Sequence, residues 1–370
     1  MSQHRTWVEI SKDALKNNTE VIKGLLNPET KLLAVVKANA YGHGLINTAK
    51  LLLEYGVDWL GIFSFKEALQ LRDAGVSAPI LVMGPTDPED FKRAIDKDID
   101  VSLAVSAKYA FEHIPPELKV HLKIDTGLSR QGFIWDKLDP IFEELRKYNI
   151  NLEGVFTHLA DAKAIGDTSY SDTQLERFKK AIETVESHGY KNLIRHMLAA
   201  DGLITFPKAQ FDMVRAGIAL YGLPPSHEWE PKFEELGFKE VLSWKTTVTE
   251  VKDIDKDSYI GYDMTERVQR DTRTAVLPVG YWDGYDRLLS SKAHVVITGT
   301  RCKILGRVSM NLIIVDITDI KAKVEPGDTC ILIGSEGDAQ VTVTELAELA
   351  NTISYEIVTR INPLLPRVYK

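Results

Sequence analysis

Between residues 32 and 217 the chain alternates short apolar runs with amphipathic stretches, and this alternation constrains the fold more than any other feature. The apolar runs are residues 32–37, 59–63, 80–83, 101–105, 120–124, 154–157, 193–197 and 213–217. A continuous apolar run marks a strand covered on both faces, as in parallel sheets. Between the runs, "GLINTAKLLLEYG", "SFKEALQLRDAG" and "SDTQLERFKKAIETVESHG" carry apolar residues at helical spacing. The first and third end at glycine, a helix stop signal. Eight strands with helices between them predict a (β/α)8 TIM-type barrel, which takes about 250 residues, rather than an open sheet.

From about Val241 the texture changes. "SWKTTVTEVKDI", "TAVLPVGYWDG", "AHVVITGTRCKILGRVSM", "LIIVDIT" and "DTCILIG" are rich in Val, Ile and Thr and punctuated by Gly, Asp and Pro, which predicts a mainly antiparallel β domain. One helix, "TVTELAELANTIS", is expected near its end, opened by a Thr342-x-x-Glu345 capping pattern. The charged segment 225–240 holds the boundary, giving a barrel over 1–235 and a β domain over 236–370. With 370 residues, 44% of them hydrophobic, the chain can bury two cores. A net charge of −8 gives no reason to expect nucleic acid or an anionic membrane as partner. Cys302 and Cys330 are too few for a disulfide framework or a multi-cysteine metal site, and no metal is expected. The N-terminal segment lacks the apolar core of a signal peptide, and no stretch would span a bilayer, so a cytoplasmic protein is expected.

Barrels of this kind do their chemistry at the C-terminal ends of the strands. There the expected strands present Lys37, Lys123 with Asp125, His158, His196 and Arg215. One polar residue at a strand end is usually the start of a solvated loop, and a single histidine is usually structural. Five strands carrying ionisable groups at one rim are harder to dismiss, because buried charges are paired or functional. A lysine held against an apolar strand loses charge through burial and can attack a carbonyl. Two enzyme readings follow, a lysine aldolase or an enzyme using pyridoxal phosphate (PLP). Gly217, after the eighth strand, would let backbone N–H groups approach a phosphate.

The residues become more specific at "AVVKANAYGHG", which resembles the PLP-lysine motif of the alanine racemases. "HLKIDTGLSRQGF", "GVFTHLA", "FDMVRAGIALYGL", "VLPVGYWDGYDR", "GRVSMN" and "TISYE" resemble further blocks of that family in the same order, from about residue 5 to the C-terminal end. The resemblance implies that Lys37 carries PLP and is the base on one face of the substrate Cα. Tyr262, in "YIGYDMT", would be the base on the opposite face, supplied by the partner subunit of a homodimer. His158, with Arg215 and His196, resembles the network supporting that tyrosine. Arg215 would face the pyridine nitrogen. Arginine only donates, so the ring nitrogen would stay unprotonated and the ring would be a weaker electron sink, favouring proton return. Tyr41, Gly217, Ile218 and Tyr355 resemble phosphate ligands. Arg130 and the Met310 backbone resemble substrate-carboxylate contacts, Tyr281 resembles an entrance tyrosine, and Lys123 a carbamylated lysine paired with Arg130.

Three sites, four residues in all, depart from the family pattern. Ala199 and Ala200 stand where Asn-Ser is usual, Asn311 where Asp is common, and Asp263 where Gly often follows the tyrosine. The missing serine hydroxyl removes one phosphate contact, worth about 1.5–3 kcal/mol for a charged partner. The implied activity is interconversion of L- and D-alanine, supplying D-alanine for cell-wall peptidoglycan. A racemase of another amino acid such as serine, a non-catalytic PLP-binding barrel and a basic-amino-acid decarboxylase are the alternatives.

Overall fold

The computed structural model describes residues 5–96, 99–162 and 166–370 and divides into two compact units. Among the described residues, one comprises Lys16–Ala40 and Leu45–Leu220; the other comprises residues 5–15, Tyr41–Gly44 and Tyr221–Lys370.

The first unit is a closed parallel barrel. Its eight strands, numbered one to eight below, are Lys31–Val35, Trp59–Ile62, Ile80–Val82, Ser102–Val105, Lys119–Asp125, Asn151–Phe156, Ile194–Ala199 and Met213–Ala216. Each pairs in parallel with the next, and strand eight pairs back with strand one, Val214 opposite Leu32. Strands two and three are buried along their whole length, which is why they read as unbroken apolar runs. Helices form between the strands where amphipathic stretches were expected, at Leu45–Glu54, Phe65–Asp73 and Ser169–Ser187. In the last, Leu175, Phe178, Ile182 and Val185 form one buried stripe at three- and four-residue spacing.

Strand one departs from expectation. It stops at Val35, short of Lys37, and the chain then enters a left-handed turn. Ala38, Asn39, Ala40 and Tyr41 have φ of 54°, 57°, 52° and 51°. Left-handed backbone costs L-residues about 1–2 kcal/mol each, so four in a row must be held from outside. The Glu67 carboxylate accepts from the Ala38 N–H at 2.7 Å, and the Asn39 side-chain oxygen accepts from the Leu45 N–H at 2.9 Å. The second Glu67 oxygen caps the following helix at Ser64, so one carboxylate ties the turn to a helix N-terminus.

The second unit is a β domain, as its sequence texture predicts. Its sheet runs in the order Glu250–Ile254, Thr272–Leu277, Ile313–Asp316, Thr300–Leu305, His294–Ile297, Thr329–Glu336, Leu242–Thr247, Thr6–Ile10 and Arg367–Tyr369. All neighbours on this path are antiparallel except the last pair. The Thr6–Ile10 strand is missing from the sequence reading. It finds its partner, Leu242–Thr247, across more than half the chain. Thr342 caps a helix, accepting from Glu345 N at 3.0 Å as predicted. That helix ends at Leu349, because Asn351 turns left-handed at φ 54°, and a second helix, Ser354–Arg360, follows. No described helix is long and apolar enough to cross a membrane.

Candidate active site

Strands five to eight of the barrel build a buried polar chain around Arg215. The guanidinium, 4% exposed, donates through Nη2 to the carbonyls of Thr157 at 2.8 Å and Met197 at 2.9 Å. The same nitrogen lies 3.1 Å from His158 Nδ1, and Nη1 lies 2.7 Å from His196 Nδ1. Arginine is donor-only, so both imidazole Nδ1 atoms accept. His196 must then carry its proton on Nε2, which sits 2.8 Å from His121 Nδ1. His121 in turn presents Nε2 to Glu153 Oε2 at 3.1 Å, and Ser102 donates to the same oxygen at 2.5 Å. One donor-only cation thus sets the tautomers of three histidines and ends, two imidazoles away, at a carboxylate. His196 stacks flat on Phe156, with ring centroids 4.7 Å apart. Gly154 makes room for His121, since a Cβ there would lie 2.5 Å from its Nδ1.

Burial decides the charge states. Burial lowers the pKa of His196 well below the usual imidazole value, with Arg215 adding to the effect. Burial, then Arg215 and Arg130, pushes His158 down to about 3. Both rings are neutral at physiological pH. Burial brings Arg215 down to about 10, opposed by the Asp201 carboxylate, so it keeps its charge.

Lys37 lies within electrostatic reach of this cluster. Its pKa is lowered first by burial and then by Arg130. Lys123, 7% exposed, is pushed down to about 8 by burial, then by Arg130 and Arg215. Its amine donates to Gln131 Oε1 at 3.1 Å. Asp125 plays a holding role, since its carboxylate accepts from Gly127 N and Ser129 N and so fixes the loop bearing Arg130. Lys37, Lys123, Arg130, His158 and Arg215 therefore share one electropositive region of the barrel. Arg215, His158 and Lys123 hold hydrogen-bonded places in this region, and Arg130 and Lys37 bear on it through their charge. Gly217 follows strand eight and opens the Ile218–Tyr221 3-10 turn. The register sets Arg215 beside Ala199, so Ala200, without a hydroxyl, opens the segment next to Gly217.

The remaining predicted residues lie in the second unit. The Tyr41 and Tyr355 rings are neighbours at 6.1 Å. Tyr281 and Met310 are held together by backbone bonds, Tyr281 N to Ser309 O at 3.1 Å and Trp282 N to Met310 O at 2.9 Å. Tyr262 stands 68% exposed at the tip of a small hairpin. The sequence reading missed His121 and Glu153. The available signal was "HLKID", where His121, Lys123 and Asp125 alternate with Leu122 and Ile124 along one strand and so share a face.

Residues 10–225 match the model described as "Alanine racemase, N-terminal domain", and residues 241–369 the one described as "Alanine racemase, C-terminal domain". An alanine racemase of Leptospira interrogans is 37% identical over 374 residues, covering 99% of this chain and 96% of the relative. One from Methanococcus maripaludis is 36% identical over 376 residues, covering 100% of both. The crystal structure of alanine racemase from Bacillus anthracis with bound L-Ala-P superposes with a TM-score of 0.91 at 35% identity, covering 100% of this chain and 96% of that one. On the strength of both family models and of full-length relatives above one-third identity, the chain belongs to the alanine racemase family.

Proposed function

We propose that this racemase interconverts L- and D-alanine on PLP by a two-base mechanism, with Lys37 on one face of the substrate Cα and Tyr262 of a partner subunit on the other. The observation that carries the reading is the locked Arg215 with neutral His158 and His196 beside a partly desolvated Lys37. The donor set fits the cofactor. A donor-only guanidinium suits an unprotonated ring nitrogen. A lysine whose charged form is disfavoured suits bonding to an aldehyde. When bound, the pyridoxal group takes up the electron pair left at the substrate Cα.

Each residue then has a task. Lys37, neutral when unprotonated, takes or returns the proton on its face. His158 accepts from Arg215 at Nδ1, so its free Nε2 is a donor. Directed at the Tyr262 oxygen, that N–H would stabilise the phenolate that takes up the proton on this face. Arg130 and the Met310 backbone hold the substrate carboxylate, Tyr281 lines the entrance, and Tyr41, Tyr355, Gly217 and Ile218 take the phosphate. Lys123 at about 8 has neutral amine available near neutrality to add carbon dioxide, and a carbamate there would turn like-charge repulsion from Arg130 into attraction. Tyr262, Met264, Trp282, Leu288, Met310 and Leu312 are all exposed large apolar side chains of the β domain, which fits burial against a second copy in a homodimer. A cytoplasmic enzyme of this kind would supply D-alanine to peptidoglycan synthesis.

Borohydride tests the cofactor assignment. The purified protein with PLP should be yellow, lose that colour on reduction, and carry the pyridoxyl mass on the peptide containing Lys37. Failure to take up PLP, or a tag on another lysine, contradicts it.

A further inference from the structure

We infer that Asp263 is a positioning residue for Tyr262, acting as a charge latch between Arg287 and Arg307; this rests on the reading of Tyr262 as the opposite-face base. Tyr262 stands on a hairpin with little ladder of its own. Its limbs, Tyr259–Ile260 and Glu266–Arg267, pair with each other over two residue pairs and join no larger sheet among the described residues. The tip turns at Gly261, with φ of 72°, and the two L-residues after Tyr262 are strained, with φ of 63° at Asp263 and 50° at Met264. A side chain 68% exposed on such a tip needs anchors outside the ladder to hold its oxygen at one reacting atom.

The structure supplies anchors at the base and at the tip. At the base, Ile260 packs with Val268 and Leu305, and its carbonyl lies so close to Gly306 that a Cβ there would sit 2.5 Å away. Lys303 pairs with Glu266 at 3.1 Å and Arg267 with Asp257 at 3.3 Å. These fix the limbs but not the tip. At the tip, Asp263 Oδ2 lies 3.5 Å from Arg307 Nε and 3.8 Å from Arg287 Nη2. Arg307 Nε is buried and makes no hydrogen bond, so the carboxylate is its electrostatic counterpart. The two arginines come from segments well separated in sequence from the hairpin, so the carboxylate ties the tip to the body of the domain from two sides. Aspartate tolerates left-handed backbone better than most residues with a Cβ, which reconciles a charge with a position where glycine would fit more easily.

The test compares wild type, D263N, D263G and Y262F as PLP-loaded enzymes. Asparagine keeps the backbone preference and removes the charge; glycine removes the charge and relieves the left-handed strain. Both variants should lose about three- to tenfold in kcat with little change in KM, the scale of one or two exposed ion pairs. Added salt should lower the wild-type kcat towards that of D263N and leave D263N unmoved. In deuterated water, exchange of the Cα proton should slow for one enantiomer and persist for the other, the same one that Y262F blocks. The thermal midpoint of D263G should hold or rise, separating position from stability. A kcat within twofold of wild type in D263N, or equal slowing for both enantiomers, overturns the latch. Full exchange of both enantiomers by Y262F overturns the reading of Tyr262 beneath it.

Discussion

Single residues in this chain pay for a site with local strain. Ala38 is exposed and left-handed, two features that leave its methyl group without favourable packing. Glycine reaches the same φ without steric cost. Ala38→Gly should therefore raise the thermal midpoint or leave it unchanged, whereas the same change in a right-handed helix costs about 1 kcal/mol. A fall of that size, followed by thermal unfolding, would show that the turn is not left-handed in solution. The strain is localised where function needs it: Lys37 immediately precedes the turn, which lets a strand end abruptly and redirect the chain. Little of this was legible in the sequence. "KANAY" contains good helix formers, and nothing in its composition distinguishes a left-handed turn from a right-handed one; the Glu67 and Asn39 side chains that hold it are ordinary until their partners are known.

The strands show the opposite case. Burial on both faces writes itself into the sequence as unbroken runs such as "WLGI" and "ILV", so all eight barrel strands were legible within a few residues of their ends. The Thr6–Ile10 strand was not, because its partner lies more than two hundred residues away and local pattern carries no information about such pairing. Interior polar groups fall between these cases. Lys37, His158, His196 and Arg215 were legible at or near strand ends, while His121 and Glu153 lie in the N-terminal halves of strands five and six and their meaning depends on neighbouring strands. The chain from Arg215 to Glu153 links strands eight, seven, five and six. Replacing Glu153 by Leu leaves His121 Nε2–H buried without an acceptor and should cost about 1–3 kcal/mol. Glu153→Gln keeps an acceptor for His121 and should cost less than half as much in chemical denaturation. Both should lower kcat, by loosening His196 and so Arg215. Equal stability losses in the two variants would contradict the tautomer assignment.

At the scale of the molecule, the two units carry complementary halves of the predicted residue set. The barrel holds the lysine, the arginine and the histidines, and the β domain holds the exposed tyrosine with Tyr281 and Met310. The two-base reading requires them to meet at one carbon, with the tyrosine arriving from a second copy of the chain. Racemisation itself is the direct measure of that requirement. Purified enzyme loaded with PLP, offered a panel of single-enantiomer amino acids in deuterated water and followed by chiral chromatography with mass detection, should convert L-alanine and D-alanine to an equal mixture with solvent deuterium at Cα, and convert serine more slowly. Retention of alanine's configuration, or racemisation of another amino acid in its place, would contradict the account.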